Sequence, residues 1–221
     1  PFSDRKADLA ATAIMTTDTH PKVASAAAGP ATIVGIAKGV GMIEPDMATM
    51  IAIITTDAEI NSDRLDEIFR RIVDKTFNAL SVDTDTSTSD MAVVLASGQA
   101  GPVEENEFES ALSEVCLDLT RQLAADGEGA ETLVVVDVTS ARDDEQAKRV
   151  AKAIVNSPLV KTAIHGRDPN WGRVAMAIGK CGDADINQQE VLIHFGDQEV
   201  YPTPASPQKL AELETYLASE E

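Results

Sequence analysis

The stretch Thr32-Ile33-Val34-Gly35-Ile36-Ala37-Lys38-Gly39-Val40-Gly41-Met42-Ile43-Glu44-Pro45-Asp46-Met47-Ala48-Thr49-Met50-Ile51-Ala52-Ile53-Ile54-Thr55 reads as two short buried strands around a loop. Residues 32–36 and 50–55 are apolar, partly β-branched and bounded by Gly, Pro or Asp, as strands buried in a sheet are. Residues 37–49 are punctuated by Gly39, Gly41 and Pro45 and are expected to form a turn or loop. Thr49 is thereby presented at the start of a strand. The glycines invite comparison with a phosphate loop, but the GxxxxGK[ST] spacing that brings a lysine onto phosphates is absent.

Downstream, Leu65, Ile68, Phe69, Ile72, Val73 and Phe77 recur at helical spacing over residues 62–80. Asp63, Arg64, Arg70, Arg71 and Asp74 fill the other face, which predicts an amphipathic helix. A second helix, residues 105–125, carries the stripe Phe108, Leu112, Val115, Leu119 and Leu123 and stops at Asp126-Gly127. Residues 133–138 are predicted as a buried strand, 143–155 as a third helix, and 190–195 with 199–201 as a terminal hairpin. After Asp168, read as a capping residue, Pro169 and Gly179 bracket a short helix. Residues 201–207 read as a Pro-rich surface loop. Short strands that do not strictly alternate with helices favour an α/β (α+β) fold, a layered sandwich of mixed sheets and helices, over a doubly wound parallel sheet.

At 221 residues and 43% hydrophobic, the chain can bury a sizeable core. A formal net charge of −19 repels a phosphate backbone, so no nucleic-acid partner is expected. Cys116 and Cys181 stand far apart, with no CxxC and no histidine at ligand spacing. Neither a disulfide framework nor a zinc site is expected, and a reducing, cytoplasmic setting fits. The longest apolar runs, such as residues 91–96, are too short for a bilayer, so no membrane association is expected. Asp83, Asp85 and Asp90 lack the Gly and terminal Glu of an EF-hand; no metal is assigned, and no cofactor.

A hydroxyl needs a neighbouring base to act as a nucleophile, and an N-terminal threonine supplies one in its own α-amine. If the loop strains the Ala48–Thr49 peptide bond, the Thr49 hydroxyl can attack the Ala48 carbonyl and move the chain onto oxygen as an ester. Water then releases it, giving residues 1–48 and 49–221. The freed amine, with an ordinary pKa of roughly 7.7 to 8.0, can accept the hydroxyl proton near neutral pH. Spacing alone does not separate this from a threonine that simply begins a strand. Lys38 on a glycine loop is equally a solvated lysine, and Glu128 between Gly127 and Gly129 equally a turn residue. His165, with Asp168 and Arg173 nearby, titrates near neutrality, but a threonine amine already provides the base, which favours a structural role.

Segments in a fixed order carry a family resemblance. Besides Lys38-Gly39-Val40-Gly41-Met42 with Ala48-Thr49, they are Ala13-Ile14-Met15-Thr16-Thr17-Asp18-Thr19, Ser81-Val82-Asp83-Thr84-Asp85-Thr86-Ser87-Thr88-Ser89-Asp90, and Asn156-Ser157-Pro158-Leu159-Val160-Lys161 leading into His165-Gly166-Arg167-Asp168-Pro169-Asn170-Trp171-Gly172-Arg173. Over about residues 11–201 the chain resembles the ornithine acetyltransferases, in which a Lys-Gly-x-Gly-Met run precedes an Ala-Thr scissile bond. The resemblance implies a DmpA-like fold of the N-terminal-nucleophile type, with an α chain ending at residue 48 and a β chain starting at residue 49, paired within a larger assembly. It implies small-molecule substrates: acetyl passes from N-acetylornithine to glutamate by ping-pong chemistry through an acetyl-threonine, in arginine biosynthesis, and some relatives also accept acetyl-CoA. Carried across, Thr49 is the catalytic nucleophile, and Thr16, Lys38, Thr49 and Glu128 contact the substrate. Lys38 suits the α-carboxylate and Glu128 an ammonium, both through charge-assisted contacts.

Relatives also carry an upstream Thr-Gly pair forming the oxyanion hole, which nothing in residues 1–15 matches, and a C-terminal stretch over the substrate with no counterpart here. The chain is therefore expected to be an interior piece: the C-terminal part of the α chain and a β chain incomplete at its C-terminus. Losing an oxyanion donor costs about 2.7 to 4 kcal/mol of barrier, so such a piece alone is expected to be a poor catalyst. Thr84 and Ser89 stand where many relatives have Gly and Asn. Two other readings stay open: an N-terminal-threonine amidase or hydrolase acting on another acyl group, and a non-catalytic fragment retaining the fold.

Overall fold

Alternating burial along the strands organises the first of two units, residues 1–130, into which a computed structural model divides the chain. The structure describes residues 4–43, 50–85, 88–203 and 206–219. Helix α1 (Asp4–Ile14) leads into β1 (Lys22–Ala28), β2 (Ala31–Lys38) and β3 (Ile51–Glu59). Helix α2 (Ser62–Lys75) and a turn of 3-10 helix (Phe77–Ala79) cross over to β4 (Met91–Pro102), and α3 (Glu105–Ala125) follows. The sheet order is β1-β2-β3-β4, antiparallel except for the parallel β3–β4 pair.

On β3, Ala52, Ile54, Thr56 and Ala58 are buried, while Ile51, Ile53, Thr55 and Asp57 are only partly so. The buried face joins Ile33 of β2, the α2 stripe Leu65, Ile68, Phe69 and Ile72, and the α3 stripe Phe108, Leu112, Val115, Leu119 and Leu123 in one core. Burying a side chain of this size stabilises by about 1.5–3 kcal/mol. Helix α3 approaches β2 so closely that a Cβ on Gly35 would lie 2.7 Å from Leu119 Cδ1 and 2.9 Å from Val115 Cγ1. Gly35 is thus a packing requirement of the sheet.

Several boundaries differ from expectation: β3 runs on to Glu59 rather than ending at residue 55, and the hairpin begins at Ile193 rather than residue 190. The helix predicted over residues 62–80 ends at Lys75, because the Thr76 hydroxyl turns back to the Ile72 carbonyl at 2.7 Å while its backbone leaves helical geometry at φ −118° and ψ −91°. Strand β2 continues to Lys38, two residues into the expected loop, because Ala37 and Lys38 still pair with Ala52 and Ile51 of β3. Strands β1 and β4 were not anticipated; the small-residue run of β1 has no periodicity of its own and is fixed by pairing along β2.

The second unit, residues 131–221, contains α4 (Asp144–Val155), α5 (Pro158–His165), α6 (Trp171–Lys180), the hairpin β5 (Ile193–Phe195) and β6 (Gln198–Tyr201), and α7 (Pro207–Ser219). Its core includes Val150, Ile154, Val174, Ile193, Val200 and Leu213. Asp143 caps α4 by accepting the Gln146 amide at 2.8 Å. Helix α6 is capped by Asn170, which accepts the Arg173 amide at 3.2 Å, and not by Asp168, whose carboxylate instead accepts from the Asn170 side chain at 3.0 Å. Residues 133–138 form no strand, since they have no ladder partner among the described residues. Val134, Val136 and Val138 instead line an open cavity of about 800 Å³ with Val150, Ile154 and Ile193.

Candidate functional site

Strand register gathers four chain segments at one end of the first unit's sheet. Lys22 at the start of β1 faces Ala37 near the end of β2, Lys38 faces Ile51 at the start of β3, and Ile51 faces Met91 at the start of β4. The C-terminus of α3 reaches the same end, where Asp126 meets Lys22.

The centre of this end is a fully buried lysine. The Lys22 ammonium donates to Asp18 Oδ1 at 2.7 Å and to Asp126 Oδ2 at 2.5 Å, with all three side chains 0–3% exposed. Asp18 further accepts the Gly39 amide at 2.7 Å and the Thr16 amide at 3.1 Å. Asp126 accepts the Thr19 amide at 3.1 Å and the Thr19 hydroxyl. Burial pushes both carboxyls up, but the Lys22 ammonium and these donors outweigh it: Asp18 is held at about 2 and Asp126 below the usual range. Because each buried charge is paired and hydrogen-bonded, the cost of desolvation is offset.

This network ties together the arms that carry the expected substrate residues. Thr16 is exposed on the turn anchored by Asp18. Lys38 directly precedes Gly39, and at 7% exposure it is buried rather than the solvated lysine its glycine context allowed. Glu128 is exposed, its amide donating to the Val40 carbonyl at 2.5 Å. A Cβ on Gly41 would lie 2.8 Å from Glu128 Oε2, so the carboxylate lies directly over that glycine. Asp90 adds a further carboxyl: burial raises its pKa, opposed by the Met50 amide and the Lys38 charge.

Thr49 and Ala48 lie outside the described residues. Their neighbour Met50 is buried at 3% exposure, and its amide donates to Asp90 Oδ1 at 2.5 Å. His165 belongs to the second unit, where it is exposed and 3.2 Å from the equally exposed Glu131 carboxylate. Sequence reasoning missed Asp18, Lys22 and Asp126, although Asp18 lies in the Ala13–Thr19 motif and Asp126 starts the Asp126-Gly127-Glu128-Gly129 turn.

A mixed α/β fold whose four-stranded sheet ends in this buried charge network is the class that the structure defines. The sequence profile described as the ArgJ family matches residues 2–221, and the chain belongs to that family. It is 62% identical over 199 residues to the glutamate N-acetyltransferase Oat2 of Streptomyces clavuligerus, covering 90% of this chain and 51% of that protein. It is 59% identical over 214 residues to the arginine biosynthesis bifunctional protein ArgJ 2 of Nostoc sp., covering 96% and 55%. A crystal structure of arginine biosynthesis bifunctional protein argJ from Bacillus halodurans matches with a TM-score of 0.69 at 42% identity, over 76% of this chain and 81% of that one. The chain spans about half the length of the curated relatives it matches. Among the described residues, no helix is long and apolar enough to cross a membrane.

Proposed function

We propose that this chain is part of an acetyltransferase of arginine biosynthesis that activates itself by cutting the Ala48–Thr49 bond and then carries acetyl groups on Thr49. The observation that carries this reading is the convergence of Lys38, the Thr16 turn and the Glu128 turn at the sheet end where β3 begins, one residue after Met50. The names of the relatives, a glutamate N-acetyltransferase among them, support the acetyl chemistry.

In the first reaction, Thr49 Oγ attacks the Ala48 carbonyl carbon, the C–N bond breaks, and the nitrogen takes the hydroxyl proton to become the α-amine of Thr49. Water hydrolyses the resulting ester, leaving residues 1–48 with a carboxylate at Ala48 and residues 49–221 with a free threonine. In turnover, that amine takes the Oγ proton, Oγ attacks the acetyl carbonyl of N-acetylornithine, and the amide bond breaks as the proton passes to the leaving ornithine nitrogen. The glutamate amine then attacks the acetyl ester and Oγ regains its proton, which is a ping-pong cycle; acetyl-CoA is an alternative donor. Lys38 binds the α-carboxylate and Glu128 the ornithine side-chain ammonium, each by a charge-assisted contact. Thr16 contacts the same amino acid. The two pieces stay paired, within a larger assembly in the cytoplasm.

The test is to make the complete polypeptide and follow it by denaturing gel and intact mass. Two products divided at residues 48 and 49 are expected, and none from Thr49→Ala. With N-acetylornithine alone, the Thr49 peptide should gain one acetyl group and lose it when glutamate is added. Acetyl transfer by material whose bond before Thr49 is unbroken would refute the mechanism.

A further inference from the structure

We propose that residues 81–90 act as a two-point staple for the scissile loop, with Asp83 and Asp90 as positioning residues for self-cleavage. The inference rests on the function proposed above and assigns a role to a motif that substrate binding does not use.

On the upstream side, Asp83 accepts the Met42 amide at 2.6 Å through Oδ2 and the Ile43 amide at 3.0 Å through Oδ1. The Val82 amide returns a hydrogen bond to the Ile43 carbonyl at 2.7 Å. On the downstream side, Asp90 accepts the Met50 amide at 2.5 Å, and the Met91 amide donates to the Met50 carbonyl at 3.0 Å. The pattern is the same at both points: an aspartate takes amides of the loop's flank, and the residue beside that aspartate donates back. The flanking residues Ile43 and Met50 are buried, at 0% and 3% exposure, so both anchor points are set into the core.

Backbone geometry at the first anchor fits a constraint imposed from outside the loop. Met42, whose amide Asp83 accepts, has φ +55°, and Thr84, directly after Asp83, has φ +68°, left-handed conformations that residues with a Cβ rarely adopt. Asp83 also accepts the Asp85 amide at 3.1 Å, which fixes its own turn. Only Ile43 and Met50 need be held for the residues between them to be confined at both ends. Met50 is the residue directly after the nucleophile, so the Asp90 contact restrains the chain one peptide from the attacking hydroxyl. An intramolecular attack depends on such alignment, because restricting the reacting groups removes orientational freedom that would otherwise be lost at the transition state.

The test measures self-cleavage rates in the complete polypeptide, released as a pulse from cell-free synthesis and followed by intact mass. Asp90→Ala is expected to slow cleavage about ten- to a hundredfold, the effect of losing a charge-assisted hydrogen bond at the transition state. Asp90→Asn keeps an acceptor oxygen and is expected to cleave within about threefold of the parent. Asp83→Ala should show the same loss and decides the matter if Asp90→Ala does not fold, whereas Asp83→Asn, which keeps only one of the two acceptor oxygens that Asp83 uses, should cleave at a rate between alanine and the parent. Val115→Ala, which loosens the core beneath α3, should lower the melting temperature without slowing cleavage. Folded alanine variants that cleave at the parental rate overturn the staple. So does an asparagine variant as slow as alanine with a shifted pH profile, which marks a proton carrier instead. Processing of Thr49→Ala at the same bond would refute the underlying function, whatever the aspartates do.

Discussion

Replacing Lys22 with methionine keeps most of the buried stem and removes the charge, leaving Asp18 and Asp126 at 0% and 3% side-chain exposure without their shared ammonium, and only His20, whose Nδ1 lies 3.5 Å from Asp126, beside them. Breaking a buried ion pair by removing one partner costs about 3–5 kcal/mol, a large part of the roughly 5–15 kcal/mol that stabilises a typical domain. Lys22→Met is therefore expected to lower the melting temperature by roughly 6–20 °C at pH 7.5. The pH dependence supplies a sharper signature. In the parent, Asp18 is held at about 2 against an ordinary 3.8, and Asp126 is lowered as well. Stability from these groups is fully present above about pH 4 and is lost as pH falls toward 2; for Asp18 it amounts to about 2 kcal/mol. Asp90, whose carboxyl is raised, acts in the opposite sense and relieves a small cost as it protonates. Without Lys22, burial and mutual repulsion raise both network carboxyls above their ordinary range, so the variant's deficit should shrink between pH 7.5 and 5 as one of them takes a proton. Urea unfolding followed by circular dichroism, with hydrogen exchange over β1 and α3, checks both points. A deficit unchanged between pH 7.5 and 5, or below about 0.5 kcal/mol, would refute the charge argument.

Gly35→Ala should cost about 1–3 kcal/mol in the same assay, because the new methyl meets Leu119 and Val115 inside 3 Å, and Leu119→Ala in the same chain should recover part of it. Lys38→Met should lower kcat/KM for glutamate about ten- to a hundredfold while leaving the fold intact, as expected for a lost charge-assisted contact. Asp143→Ala removes the cap of α4 and should destabilise by about 1 kcal/mol, read as faster hydrogen exchange in residues 144–147. Iodoacetamide should modify Cys181 before Cys116, since burial pushes the fully buried Cys116 thiol up to about 12; preferential labelling of Cys116, scored by peptide mass, would contradict the packing of α3.

Helices α2 and α3 were legible because their apolar stripes repeat at three and four residues, and the structure buries the whole α3 stripe and Leu65, Ile68, Phe69 and Ile72 of α2, with Val73 half-buried and Phe77 buried in the following 3-10 turn. The strand leading from Thr32 and the one following Thr49 were legible for the opposite reason, short β-branched runs between turn residues. Strand β1 was not, since Lys-Val-Ala-Ser-Ala-Ala-Ala carries no period that outweighs helix propensity. Residues 133–138 carry strand composition without a ladder partner among the described residues, and composition cannot report pairing. At the site, Thr16, Lys38 and Glu128 could be named only through resemblance, while the buried charges that hold them in place stayed hidden. Lys22 and Asp126 lie 104 residues apart in sequence, a pairing that no local pattern encodes.

The mixed sheet bears on the proposed cut between residues 48 and 49. Strand β2 ends at Lys38 and β3 begins at Ile51, so a break between residues 48 and 49 falls between those two strands in the sequence. Each product would keep two strands, β1 with β2 and β3 with β4, and the β2–β3 ladder from Ile33↔Thr56 to Lys38↔Ile51 would become the seam between separate polypeptides. Helix α3, carried by the larger product, would still press Leu119 and Val115 onto Gly35 of the smaller one. The nick would turn a hairpin connection into a subunit interface already packed as a protein interior, so the newly exposed threonine could gain its amine with no strand withdrawn from the sheet.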